Sequence, residues 1–436
     1  MPLVKVSRDK LFGKLPVILA LRRFCRRTLN YAIRTHVQMR RALVRSIFSI
    51  PLLSKCHPHR KIIRCINQCH EVHAFPDSTD ATCEDWSITI RGREAIHRVM
   101  PTGLDGYETR DFYRSALRYQ RGNYFEIPHV FLACLHRAKV YSQDLLVLTA
   151  RNNIFFESAL SKDEVLNHNG ILDRLFCPPA RYMPGDYCLL SSPWSDGYYH
   201  WMIEALPRMS LIERFTELSD TPLIVQSRLR SYQQDTLDML GVSSKRIVNF
   251  TGGCWQLGRL YYPELLSETG NPSPHAVHWL RRRFLTRPEP STLPVKPRLY
   301  ITRRDAKSRR IVNEAEIVEY LHSEGFEILC PGTLSVAQQI QIFSKAEIVI
   351  AAHGAGCTNM VFAPHNALLI ELFGANYING CFWALTNILN QRYAFLTGPP
   401  TDRLNYTISL DRLKTLLARE LSGIKPVGHI MHIQAN

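Results

Sequence analysis

No uninterrupted apolar run in this sequence approaches the roughly 18 residues of a membrane-spanning helix. The N-terminal apolar stretch extends only from Leu15 to Leu21 and leads into arginines instead of a small-residue cleavage site, which makes it a poor signal peptide. Acid is almost missing from the same end: residues 1–60 carry 14 Lys and Arg against the single Asp9. The 12 cysteines are scattered without the spacing of a disulfide framework, so free thiols in a reducing compartment are the expectation. The glycines of residues 354–356 match only the start of a dinucleotide-binding fingerprint, because Asn359 stands where its third glycine would be.

What is present is a chain of 436 residues, 45% hydrophobic and 21% charged, the composition of an ordinary globular protein with room for two domains and an extra segment. The net charge of +16 belongs to one end: residues 1–60 hold +13, leaving +3 for the other 376. Between residues 20 and 50, apolar side chains recur at roughly helical spacing, with eight arginines and no acid between them. An amphipathic helix of this kind suits an anionic membrane surface, each basic residue contributing on the order of 1 kcal/mol. A solvated helix packed on the body is the plainer reading, and an Arg-rich, acid-poor start also resembles an organelle transit peptide. Aromatic residues barely interleave with the arginines, so nucleic acid is not an expected partner. The Cys/His patch from Cys56 to His73 matches no familiar zinc spacing.

The stretch from Glu347 to Phe373 organises the rest. Ile348 to Ala352 is a β-branched apolar run that fits a fully buried parallel strand. It breaks at His353-Gly354-Ala355-Gly356, where two glycines let the backbone turn and approach a ligand closely. Thr358 or Asn359 can cap a following helix whose free N–H groups face the loop. Ala367 to Leu372 reads as the next strand, with Glu371 near its end. Strand, glycine turn, helix and strand form an anion pocket beside a carboxylate, suited to a diphosphate and a ribose.

Upstream, the strand candidate Tyr187 to Ser191 leads through Pro193-Trp194-Ser195-Asp196-Gly197 into Tyr198-Tyr199-His200-Trp201 and on to Arg208. His200 and Glu204 lie four apart, on one helix face, with Arg208 a turn further and Pro207 weakening that turn. An imidazole beside a carboxylate is the arrangement of an oriented general base. Strands and helices then alternate in the rhythm of a doubly wound sheet: Leu223 to Gln226, Ser231 to Leu240, Arg246 to Phe250. A proline-rich break from Arg287 to Pro297 reads as a linker. Beyond it, strand Arg298 to Thr302 opens into the basic cluster Arg303 to Arg310, Asn313 with Glu316 has capping-box spacing, and Ser335 with Gln338 repeats it. The Arg303 cluster and the glycine loop both follow strands of one sheet, so they are expected on the same edge, where arginines can bind a diphosphate.

Together, Tyr199-His200-Trp201-x-x-Glu204-x-Leu206-Pro207-Arg208, Thr302-Arg303-Arg304, Asn313-Glu314, His353-Gly354-Ala355-Gly356-x-Thr358-Asn359 and Ile370-Glu371 resemble glycosyltransferase family 61 over roughly residues 120–400. Cys357 stands where that family usually has leucine. The resemblance implies an α/β, GT-B-like fold of two facing Rossmann-like domains with a cleft between them, and a basic helical N-terminal segment precedes them here. The expected division is 1–75 basic segment, 76–286 acceptor-side domain, 298–405 nucleotide-sugar domain and 406–436 helix and tail. It also implies inverting transfer of a sugar from a nucleotide-diphosphate donor to an acceptor hydroxyl of a glycan; a UDP-linked donor is the expectation. The chain has no Asp-x-Asp pair, so arginines and a helix N-terminus are expected to neutralise the leaving group without a metal or cofactor. The expected catalytic residues are His200 or Asp196 as base with Glu204 orienting it. The diphosphate falls to Arg303, Arg304, His353, Gly354, Ala355, Gly356, Thr358 and Asn359, the ribose to Glu371, and Trp201 and Arg208 line the cleft. A bacterial setting would mean capsular or other surface polysaccharide made at the cytoplasmic membrane face, and a eukaryotic one the secretory pathway. The rival readings are a membrane-tethered nucleotide- or sugar-binding protein without catalysis, and a metal hydrolase built on His200 and Glu204.

Overall fold

The computed structural model describes residues 62–63, 70–71, 85–127, 129–159, 179–286, 296–402 and 404–422. The basic segment 20–50, the side chains of the Cys/His patch and most of the proline-rich break lie outside the described residues. No helix among the described residues is long and apolar enough to cross a membrane.

The first unit is built on a large mixed sheet. Its elements are strand β1 (Trp86–Arg91), helix α1 (Gly106–Tyr119), strands β2 (Val130–His136), β3 (Lys139–Tyr141), β4 (Arg181–Leu189) and β5 (Leu223–Gln226), helix α2 (Ser231–Met239), and strands β6 (Ile247–Phe250) and β7 (Cys254–Pro263). The neighbours β7, β4, β5 and β6 run parallel, whereas β2 and β3 pair antiparallel with β7. A Rossmann-like half, the part in which sequence elements alternate, is therefore extended by an antiparallel meander over the β-rich stretch before it. The meander strands are short and joined by tight turns, a connection that only antiparallel pairing allows. Strand β7 carries no apolar run or clean alternation, because Gly258 and Arg259 interrupt it. Gly258 is needed there: a Cβ would lie 2.6 Å from the Gly185 carbonyl oxygen, at the register shift between Met183 and Asp186 in β4.

After helix α3 (Pro274–Leu285), the second unit follows the doubly wound plan. Strand β8 (Arg298–Ile301), helix α4 (Glu314–Ser323), strand β9 (Glu327–Leu329), helix α5 (Val336–Phe343), strands β10 (Ile348–Ala352) and β11 (Leu368–Gly374), helix α6 (Cys381–Ile388), strand β12 (Arg392–Gly398) and helix α7 (Leu410–Leu421) alternate along the chain. The five strands are all parallel in the order β9-β8-β10-β11-β12. Chain direction across the sheet reverses between β8 and β10, the switch point at which open α/β sheets bind ligands. Ile350 sits in register between Tyr300 and Ile370, all three fully buried, which explains the unbroken β-branched run of β10. The Ser335–Gln338 capping box forms. Asn313 does not cap α4; its side chain instead bridges to the backbone of Ile408.

One apolar core runs through both units, from Leu190 and Trp201 to Leu299, Val349 and Phe362. Helix α1, inside the residues 76–286 that the sequence assigns to the first domain, packs on the second sheet. Phe112 lies between Phe373, Trp383 and Phe395, at ring-centre separations of 6.4, 5.8 and 4.6 Å. Glu108 accepts from the backbone and hydroxyl of Thr397 and pairs with Arg412. Truncating the fully buried Phe112 to alanine should cost about 3–5 kcal/mol, read as a lower melting temperature. A loss under about 1 kcal/mol would mean that α1 is not docked where the structure puts it.

Candidate active site

Strand β8 ends at Ile301 and strand β10 at Ala352, side by side and parallel, so the segments that leave them share an edge. Arg303 follows the first and the glycine loop the second. Their contact is close: a Cβ on Gly354 would fall 1.7 Å from Arg303 Nη1. The backbone of Gly354 is extended, so its glycine is required by space and not by conformation. The Arg303 guanidinium, half-buried, reaches only the Ser308 carbonyl, at 3.3 Å, and its Nε has no partner among the described residues. Burial lowers its pKa from the ordinary arginine value, and the nearby positive Arg309 lowers it further. Arg309 has a left-handed backbone, φ 58°, and lies over the Tyr377 ring at 5.4 Å. Neither arginine forms an ion pair among the described residues. Two partly desolvated cations without a counter-ion are costly unless an anion joins them.

The glycine loop continues into a 3-10 helix, Ala355–Phe362, that has no side-chain cap. Thr358 is buried with its hydroxyl unpartnered among the described residues, and Asn359 is turned inward, so neither caps the helix that the sequence suggests. Asn359 instead joins the units: it accepts from the Tyr198 hydroxyl at 2.7 Å and donates to Gln339 at 2.7 Å. Burial raises the Tyr198 pKa and keeps that hydroxyl a donor. Cys357 is a buried free thiol behind the loop. Arg304 is more exposed than Arg303 and faces Glu314 at 3.6 Å. Ala355 is exposed at the loop tip.

Glu371 does not face a ribose. Its side chain is fully buried, with Oε1 2.5 Å from His353 Nδ1 and Oε2 accepting from the Tyr393 hydroxyl at 2.7 Å. Both oxygens are occupied by the protein's own donors. Glu371 fixes His353, which stacks on Phe373 and neighbours Tyr377 and Phe382.

From the first unit, a helical segment presses on this loop. It begins as α-helix at Tyr198–His200, widens to a π turn at Trp201–Ala205 and tightens to 3-10 at Leu206–Arg208. Pro207 cannot donate to the preceding turn, which accounts for the irregular winding, and π turns recur at functional sites. The predicted pair survives: Glu204, fully buried, sits with Oε2 2.9 Å from His200 Nδ1. A charged carboxylate there holds the imidazole proton on Nδ1 and leaves Nε2 a lone pair, the state of a general base. His200 itself is partly exposed. Tyr199 packs on Phe382, and Phe382 on His353, so the two imidazoles are bridged by two aromatic rings. Asp196 is exposed, 3.9 Å from Arg230, and its carbonyl accepts from Tyr232.

Trp201 and Arg208 are not cleft residues. Trp201 is fully buried and donates to Thr236 at 2.8 Å. Arg208 is buried over the Tyr262 ring, and its guanidinium is answered by the carbonyls of Pro263 and Ser191 at 2.7 and 2.9 Å. It ties the helical segment to the ends of β4 and β7. Among the described residues no group of three or more His, Cys, Asp and Glu is placed to hold a metal ion.

A mixed α/β chain with a parallel sheet and a basic switch point fits a Rossmann-like glycosyltransferase fold. Residues 198–370, which hold both His200 and the glycine loop, match the family model described as Glycosyltransferase 61. The chain is similar to a beta-1,2-xylosyltransferase of rice (Oryza sativa subsp. japonica), 25% identical over 211 residues, or 46% of this chain and 40% of that protein. Two alpha-1,3-arabinosyltransferases of the same plant are 34% and 36% identical over 82 and 81 residues, 18% of this chain and 14% of each. The matched stretches span less than half the length of these relatives. Residues 198–370 thus carry a glycosyltransferase 61 domain.

Gly354→Ala tests the switch-point contact. The added Cβ displaces the flexible end of Arg303 without straining the extended backbone. Affinity for inorganic pyrophosphate, measured by calorimetry, should fall at least tenfold while the melting temperature changes by only a few degrees. Unchanged affinity would show that Arg303 and the loop do not hold an anion together.

Proposed function

We propose that the protein transfers a sugar, with inversion, from a nucleoside-diphosphate donor to an acceptor hydroxyl of a glycan, on two units arranged as a GT-B pair. One observation carries the reading: the partly desolvated Arg303 guanidinium, with Arg309 near it and neither in an ion pair among the described residues, lies against a glycine loop at the switch point of a parallel sheet. That is a seat for a diphosphate. Arg303 and Arg309, with the amides of Gly354 to Thr358, take up charge as the sugar–phosphate bond breaks, and Arg304 stands at the rim. His200 Nε2 removes the acceptor proton, and Glu204 stabilises the imidazolium that forms. Asp196 is the weaker candidate for this role, since no neighbour orients it as Glu204 orients His200. Glu371 acts at one remove, through His353. The relatives are named for pentose transfer, so a UDP-linked pentose is the donor to try first. They are rice proteins, and nothing in them favours the bacterial capsule considered from the sequence. The arginine-rich residues 20–50 would hold the enzyme at an anionic membrane surface.

Titration with uridine diphosphate, with and without a chelator, tests the site. Binding should persist in chelator and weaken at least tenfold in Arg303→Ala. His200→Ala should bind the nucleotide within twofold of the parent, yet lose transfer from the UDP-pentose by about 10²–10⁴-fold. Ordinary turnover in His200→Ala would remove that residue from the chemistry. Tight binding without any transfer or donor hydrolysis in the parent would favour the non-catalytic binding reading.

A further inference from the structure

The turn that precedes the helical segment holds a large aromatic side chain in an unusual state. Trp194 has φ 65°, in the left-handed region that bulky residues avoid at a cost of roughly 1–2 kcal/mol. It is nevertheless 48% exposed, so core burial does not repay the strain. The turn fixes it from both sides: Ser192 N donates to Ser195 Oγ at 2.7 Å, and Gly197 N donates to the Trp194 carbonyl at 2.8 Å. The result is an indole edge-on to the His200 imidazole, ring centres 5.4 Å apart. Residues held in such backbone conformations cluster at active sites and ligand clamps.

Two residues on, Asp196 borders a cleft of about 530 Å³, within the roughly 300–1,000 Å³ of small-ligand sites. The cleft lies at the C-terminal ends of β5 and β6, the edge of a parallel sheet where ligands bind. Gln143, Gln226, Arg228, Arg230 and Phe250 line it as well. Gln226 Oε1 is enclosed and has no partner among the described residues. Arg228 forms no ion pair among them, and Arg230 reaches Asp196 only at 3.9 Å. Amides, guanidinium groups and an aromatic wall suit a hydroxyl-rich ligand, and two cations against one carboxylate give it a preference for negative charge.

We infer that Trp194 and this cleft form the acceptor site, and that it takes an acidic saccharide. The inference rests on the transferase reading above. The C–H face of the reacting sugar lies on the indole, which brings its hydroxyl to His200. A carboxylate on a neighbouring sugar unit is received by Arg228 and Arg230.

The test is titration calorimetry with a glucuronate trisaccharide and the matching neutral glucose trisaccharide, in the presence of uridine diphosphate. The acidic probe should bind at least tenfold more tightly. The Arg228→Ala/Arg230→Ala double variant should lose that margin, and Trp194→Asn should weaken both saccharides at least tenfold. All should leave nucleotide affinity within twofold. Because asparagine tolerates the left-handed backbone, Trp194→Asn is expected to melt no lower than the parent, which separates loss of the site from loss of the fold. Equal binding of the two probes, no binding of the acidic one at millimolar concentration, its displacement by uridine diphosphate, or unchanged affinity in Trp194→Asn would each overturn the assignment. Hydrolysis of a UDP-pentose in the absence of saccharide reports separately on the transferase reading.

Discussion

The site depends on a guanidinium laid across a glycine. Arg303 and Gly354 come from strands adjacent in space but separated in sequence by an entire strand and two helices, and they meet because the sheet reverses its winding between β8 and β10. The missing Cβ leaves room for the arginine, and the arginine brings a desolvated positive charge to a row of backbone amides. Arg309, held by a left-handed backbone over Tyr377, adds a second. Like charges gathered in this way raise the energy of the empty site, and an anion lowers it again. In the proposed reading, affinity for a diphosphate is thus prepared by the fold before the ligand arrives.

The helical segment that carries His200 is brought to this loop by packing. Tyr198, Asn359 and Gln339 form a hydrogen-bonded bridge from the first unit to the second, and Tyr199 and Phe382 extend the contact toward His353. His200, just before the π turn, is partly exposed while its partner Glu204 is fully buried one turn on. Arg208 anchors the same segment to the ends of two strands through carbonyl groups, a structural role for a charged residue of the motif. His353 and Glu371 repeat the imidazole–carboxylate arrangement more deeply, where both groups are enclosed. The pair in the first unit is partly exposed, and the pair in the second shapes the wall behind the loop.

Much of this was legible in the sequence, and the remainder fails for identifiable reasons. The run Ile348 to Ala352 ending in Gly354 and Gly356 specifies a buried strand and a close-approach loop locally, so strand, loop and edge are as expected. His200 and Glu204 follow from a spacing of four, which survives even where the helix widens. Glu371 was misread because a position near a strand's end does not reveal which face the side chain takes, and this strand is buried throughout. Trp201 and Arg208 were misread because residues 201–208 are all buried, leaving no polar face to mark a cleft. The cation of Arg208 is satisfied by main-chain carbonyls, which leave no trace in residue identity. The docking of α1 on the second sheet rests on Phe112 meeting residues more than 250 positions away, and the antiparallel meander rests on a strand interrupted by Gly258 and Arg259. Long-range contacts of both kinds lie beyond periodicity.

A structure determined with uridine diphosphate bound, in the presence of a chelator, tests the central claim most directly. The diphosphate should lie within hydrogen-bonding distance of Arg303 and the amides following Gly354, on the side facing His200. A diphosphate seated elsewhere, such as between Arg228 and Arg230, would contradict the account.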